Sequence, residues 1–137
     1  KRCFEAGALA SGAELAFVER PPYADMRHDA DLAALYGKNL EALGRSFTGK
    51  PGDRKRLDMN RFSTDMGNVS YVTPSIHPIL GIDSAPAVNH QPEFTAATIS
   101  ARADQAIYDG AVALAWTAID AAQDADLRAR LLERREV

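Results

Sequence analysis

The sequence has 137 residues, 46% hydrophobic and 26% charged, a globular composition at single-domain size that excludes long disorder and a fibrous protein. Its formal net charge of -3, with Lys and Arg scattered apart from two short clusters, offers no field for phosphate backbones, so no nucleic acid partner is expected. No apolar run reaches the roughly 20 residues that span a bilayer, and the one cysteine, Cys3, allows no intrachain disulfide, which fits a reducing, cytoplasmic setting.

The chain opens Lys1-Arg2-Cys3-Phe4 with neither an initiator Met nor a signal-peptide pattern, and is read as a piece of something longer. Phe4, Ala8 and Leu9 recur near helical spacing and predict a short helix over 3–13 that ends near Gly12. The alternation over Ala13 to Val18 ahead of Pro21-Pro22 predicts a strand that leaves into a stiff extended connector. Asp29 or Asp31 can cap the next helix, whose apolar positions Leu32, Leu35, Tyr36, Leu40 and Leu43 run to Gly44.

Residues 45–60, with breakers and a basic cluster, predict an exposed loop rather than a binding patch. From Phe62 to Ile82, Val69, Tyr71, Val72, Ile76, Ile79, Leu80 and Ile82 are punctuated by Gly67, Pro74, Pro78 and Gly81, which predicts short strands separated by turns. Beyond the Pro86 loop, Ile107, Val112, Leu114, Trp116 and Ile119 predict a helix over 103–123 buried on one broad side, with Asp104 favourable near its start. Leu127, Leu131 and Leu132 mark a terminal amphipathic helix over 124–134, its charges read as a solvated face.

Candidate chemistry is sparse. Cys3 is read as packing rather than a nucleophile. His28 lies in a polar run, read as surface or helix cap, and His77, between Ile76 and Pro78, as packing or bonding to backbone. His90 differs, because it follows the loop 84–89 and precedes Gln91-Pro92-Glu93-Phe94, an irregular presentation that active sites favour. One histidine cannot build a zinc shell of about four ligands. The chain has no HxH, HExxH or CxxC spacing and no GxSxG, and Ser63, Ser70 and Ser75 have no local base.

The segment Phe62-Ser63-Thr64-Asp65-Met66-Gly67-Asn68-Val69-Ser70, followed by Pro74-Ser75-Ile76-His77-Pro78 and then by His90-Gln91-Pro92-Glu93-Phe94, resembles the dinuclear zinc aminoacylase and carboxypeptidase family. The nearest branch is that of the aminobenzoyl-glutamate utilisation proteins and related dipeptidases. The opening, Cys3-Phe4-Glu5-Ala6-Gly7-Ala8 to Tyr23, is similar to the last helix and strand of that family's inserted lid or dimerisation domain. The likeness covers nearly the whole chain except 45–60.

This resemblance implies an α/β fold, helices packed on a small mixed sheet, with residues 1–22 ending a ferredoxin-like lid domain and 23–137 forming the carboxy-terminal part of a catalytic domain. It implies a metal-dependent amidohydrolase or peptidase for N-acyl amino acids, dipeptides or aminobenzoyl-glutamate-like substrates, holding two zinc ions per full-length subunit, manganese being possible, and pairing as a homodimer through the lid. His90 then matches a metal ligand. Ser63 and Thr64 match the turn that meets a substrate carboxylate. Glu93 is a candidate to orient His90 or the loop, or is merely exposed, and Asp65 holds its turn, as Asn68 and Ser70 hold theirs. Phe62 departs from the family's usual glycine, which puts close backbone approach to substrate in question. The other ligands and the general base have no counterpart here, so the 137-residue chain alone is expected to bind zinc weakly and hydrolyse nothing. The alternative is a non-catalytic interaction or structural module derived from this fold.

Overall fold

The structure, a computed structural model, describes residues 1–45 and 64–133. Six helices occur among them: α1 (Arg2–Ser11), α2 (Ala30–Ala42), α3 (Met66–Val72), α4 (Pro92–Ala97), α5 (Ala101–Gln123) and α6 (Ala125–Leu132). None is long and apolar enough to cross a membrane. Of the loop expected over 45–60, only Arg45 lies within the described residues.

Helix α1 ends as its glycine dictates. Gly12 takes φ 67 and the Ala13 N–H reaches back to the Ala8 carbonyl at 3.0 Å, the six-to-one closure that a left-handed residue permits. No residue of α1 is buried. The stretch expected as a strand after it has no ladder partner among the described residues. It runs back beside α1, where Phe17 meets Phe4 edge-on at 6.0 Å and Glu19 pairs with Lys1 at 3.8 Å.

Helix α2 is capped by Asp29, whose carboxylate accepts the Leu32 N–H at 3.2 Å. Gly44, at φ 79, closes the other end, with the Arg45 N–H on the Leu40 carbonyl at 3.0 Å. The apolar stripe expected for α2 faces inward at Tyr36 and Leu40, 4% and 2% exposed. These two meet Ala113 of α5, with Leu43, Ile76 and Leu80 packed around them. The core therefore sits where α2, α5 and the extended segment 76–80 converge. Its density depends on α5 presenting small residues, Ala106, Gly110, Ala113 and Thr117, to the larger side chains of α2 and Leu80. At Gly110 an added Cβ would stand 2.7 Å from Leu80 Cδ1.

Which side of α5 is buried differs from expectation. Ile107, Leu114, Trp116 and Ile119 are exposed, and the inward face is alanine, glycine, threonine and Asp109. Hydrophobicity alone picks the larger residues for the core; close helix approach picks the smaller ones. The charges of α6 also differ, since Arg130 is more than a solvated group. It bonds both carboxylate oxygens of buried Asp29, at 2.8 and 2.9 Å, and Asp31 at 2.7 Å, tying α6 to the start of α2.

Strands expected over 62–82 give way in part to α3. The described residues form no sheet, and their one pairing is an isolated parallel bridge between His28 and Ser75, where the Asp29 N–H meets the Ser75 carbonyl at 2.9 Å. The valines and tyrosine of α3 suit a strand, but tertiary contacts along a three-residue period select the helix. Gly67 and Ser70 are its buried residues, and both face the extended segment 24–27.

Candidate functional site

The motif before α3 works from its backbone outward. The Thr64 hydroxyl accepts the Met66 N–H at 3.3 Å and donates to Asp65 Oδ1 at 3.4 Å, while the Thr64 carbonyl accepts the Gly67 N–H at 3.0 Å. Thr64 thus closes the turn itself, a use of short hydroxyl side chains that competes with other partners. Asp65 caps no N–H with its side chain. Ser63 and Phe62 lie outside the described residues.

One turn further, the motif's small residues receive the chain that leads into α2. An added Cβ at Gly67 would overlap the Ala24 carbonyl, so only glycine lets that segment lie down. Asn68 Oδ1 accepts the Ala24 N–H at 2.7 Å. Ser70 Oγ accepts the Arg27 N–H at 2.9 Å and donates to the Gly67 carbonyl at 2.6 Å. The structural role assigned to Asn68 and Ser70 is the one these bonds describe.

Tyr71, absent from the candidates, donates its hydroxyl to Asp25 at 2.6 Å and carries the Arg27 guanidinium 4.5 Å from its ring. The Asp25 bond raises the phenol above its ordinary range. Of the other histidines, His28 lies beside the cap of α2, its Nδ1 accepting the His77 N–H at 3.5 Å, the outer limit of a hydrogen bond. Both rings are exposed.

The second candidate segment is the loop from Asp83 to His90. Asp83 and His90 take φ 57 and 67, left-handed values uncommon for residues with a Cβ, although Asp and His are enriched among those that adopt them. Within the loop, the Ala87 N–H donates to the Ser84 carbonyl at 2.8 Å and the Ser84 hydroxyl to the Ala87 carbonyl at 3.1 Å. Arg102 Nε meets Asp83 Oδ2 at 3.0 Å, joining the start of the loop to the first turn of α5.

Helix α4 begins directly after His90, with Gln91 as cap and Pro92 at its first position, where a missing N–H costs nothing. Glu93 lies in its first turn. His90 and Glu93 are exposed. No hydrogen bond or ion pair among the described residues joins Thr64 or Asp65 to His90 or Glu93.

His90 offers one nitrogen donor, chemistry that suits zinc better than manganese, which favours oxygen ligands. No group of three or more His, Cys, Asp and Glu side chains able to hold a metal ion occurs among the described residues. A closed shell therefore needs donors from beyond them.

A cavity of about 560 Å³ lies elsewhere, between the end of α2, residues 79–83 and the start of α5. Arg45 crosses it, pairing with buried Asp109 at 2.6 Å and donating to the Gly81 carbonyl at 3.0 Å. Gln105 donates to the other Asp109 oxygen at 2.7 Å. The Arg45 and Gln105 hydrogen bonds hold the Asp109 carboxyl below its ordinary range. Both oxygens are committed, so this group braces α5 against α2.

No family model matches the chain. Among known proteins it is similar to the Xaa-Arg dipeptidase of Mus musculus, 36% identical over 119 residues, 86% of this chain and 27% of the relative. The Xaa-Arg dipeptidase of Homo sapiens is 37% identical over 119 residues, 86% of this chain and 26% of the relative. The chain thus spans about a quarter of the length of the curated relatives it matches. The likeness supports a peptidase family of the metallopeptidase kind and does not single out the aminobenzoyl-glutamate branch.

Proposed function

We propose that this chain is the carboxy-terminal part of a longer metal-dependent dipeptidase, to which it contributes one metal ligand, His90, and the helical scaffold behind it. The observation that carries the reading is His90 itself, an exposed histidine held at φ 67 on the turn that enters α4. Stored strain of about 1–3 kcal/mol at a side chain with no structural partner among the described residues is a mark of functional positions. The likeness to Xaa-Arg dipeptidases supports the reaction class and points to a dipeptide with a carboxy-terminal arginine, within the wider set of N-acyl amino acids and aminobenzoyl-glutamate.

Zinc or manganese, two ions per full-length subunit, when bound lowers the pKa of a water and polarises the scissile carbonyl. The part of this chain is to place the His90 lone pair at that centre. The loop's own hydrogen bonds and Arg102 hold its approach, and Pro92 starts α4 immediately behind it. Glu93, in the first turn of α4, is a candidate to orient His90 or the loop. Ser63 and Thr64 are the candidates to receive the substrate carboxylate, the turn itself being closed by Thr64. The remaining donors, the general base and the strands that complete a mixed sheet around 76–82 come from polypeptide outside these residues, and the homodimer forms through the lid domain that 1–22 would close.

A second reading, a non-catalytic module derived from this fold, is favoured by Phe62 where the family has glycine. Metal content separates the two. In the longer protein supplied with zinc or manganese, His90→Ala should lower hydrolysis of an Xaa-Arg dipeptide by at least about 100-fold, the upper end of what loss of a group that merely orients a ligand costs, and should reduce bound metal in elemental analysis. Undiminished turnover removes His90 from the mechanism, and a longer protein that binds no metal supports the module.

A further inference from the structure

We propose that Arg45 is a positioning residue for His90: its guanidinium ties the base of the loop 83–90 to the helical scaffold and so fixes where the imidazole stands. The inference rests on the reading of His90 as a metal ligand. It begins with what His90 lacks. Its ring has no hydrogen bond among the described residues, and residues 84–89 bond only to one another, through Ser84 and Ala87. The placement of the imidazole is therefore set where the loop leaves the scaffold.

The extended segment 78–82 leads into that loop, and the Gly81 carbonyl is its one backbone group with a hydrogen bond among the described residues. Arg45 supplies the donor, at 3.0 Å. The same guanidinium meets Asp109 at 2.6 Å, so one planar fork joins α5 to the base of the loop. Arg45 itself starts from a fixed point. Gly44, at φ 79, turns the chain out of α2, and the Arg45 N–H is held on the Leu40 carbonyl. Gln105 takes the other Asp109 oxygen, which keeps the carboxylate facing Arg45.

Exposure decides which anchor dominates. Arg102 also reaches the loop, at Asp83, but those two side chains are 76% and 67% exposed, and an exposed pair contributes little. The Arg45 and Asp109 side chains are 23% and 8% exposed, where charge-assisted bonds are short and geometrically strict. Arg102, Gln105 and Asp109 recur at helical spacing along one face of α5, so both anchors fix the loop to the same helix. Beyond Gly81 the backbone turns at Asp83 and again at His90, with φ 57 and 67. A change of direction at Gly81 is carried through both turns to the imidazole.

Arg45→Lys tests this in the longer protein with its natural flanking sequence. A lysine keeps the charge opposite Asp109 but lacks the fork that reaches two partners at once. It should weaken zinc binding by about 10-fold, the lower end of what loss of a group orienting a metal ligand costs. In the metal-free protein it should also speed amide exchange severalfold in 82–91 while leaving 125–132 unchanged. Asp109→Asn, which loosens the Arg45 guanidinium from α5, should reproduce both changes. Arg130→Met is the control for a loss that is merely structural, since it breaks a pair at the other end of α2 and should lower the melting temperature without weakening zinc. Zinc affinity unmoved by Arg45→Lys, or weakened equally by Arg130→Met, overturns the proposal. His90→Ala separates it from the reading on which it rests. If His90→Ala releases zinc and Arg45→Lys does not weaken it, the positioning role alone falls. If His90→Ala leaves zinc binding intact, the ligand reading falls and takes the role of Arg45 with it.

Discussion

A residue with a Cβ at φ near +60° crowds its own carbonyl, at a cost of about 1–2 kcal/mol, and His90 bears that cost with no hydrogen bond from its ring to the described residues in return. His90→Gly should therefore stabilise the fold by about 1 kcal/mol, read as a higher urea midpoint, while abolishing peptidase activity in the longer protein. A lower midpoint would show that the imidazole is structural. Gly67 carries the opposite constraint. Gly67→Ala drives a methyl group into the Ala24 carbonyl and should cost at least about 1–3 kcal/mol. Gly7→Ala, in open space within α1, should be stabilising by about 0.5–1 kcal/mol. Both are glycines within helices, so the contrast isolates the packing contact. At this scale the irregular setting of His90 was legible from the residues around it, and the motif singled out Asn68 and Ser70. The partners of Asn68 and Ser70, and of Gly67 and Tyr71, were not, because they lie more than forty positions away in the chain.

Helix ends followed local chemistry. Asp29, Ser100 and Asp124 each accept N–H groups from the first turn they precede, and Gly12 and Gly44 close the ends they follow. The failure at α3 has a definite cause: seven residues are too few to separate a helical period from a strand's alternation when valine and tyrosine are frequent. The Asp29 and Arg130 pair belongs to the scale of elements, since it joins the start of α2 to α6. The Arg130 hydrogen bonds, opposed by burial, hold the Asp29 carboxyl below its ordinary 3.8. A carboxylate with a depressed folded pKa adds stability that is present above the unfolded value and lost as pH falls through the folded one. Stability should accordingly fall as pH drops below about 4, and Asp29→Asn should flatten that part of the profile in thermal melts at graded pH. Arg130→Met should destabilise more than Arg128→Met, because it takes both guanidinium bonds from a buried carboxylate, whereas Arg128 meets the Ala122 carbonyl, a neutral group in an exposed setting.

Among the described residues the core is narrow, centred on Tyr36, Leu40 and Ala113, beside many exposed large apolar residues. With no group of three or more metal-ligating side chains among the described residues, the 137-residue chain supplied with zinc should hydrolyse no Xaa-Arg dipeptide. Turnover by the purified chain would overturn the view that its chemistry needs groups from elsewhere. What could be read along the chain was whatever neighbours in sequence enforce: helix caps, glycine stops, the stripe of α2, and the odd placement of His90. Tertiary structure decided which face of α5 is inward, that 66–72 is a helix, and that Arg130 is a clamp rather than a solvated charge. Each of those depends on free energy gained between residues far apart in the chain, where close approach favours small side chains over hydrophobic ones, and no local pattern records that choice.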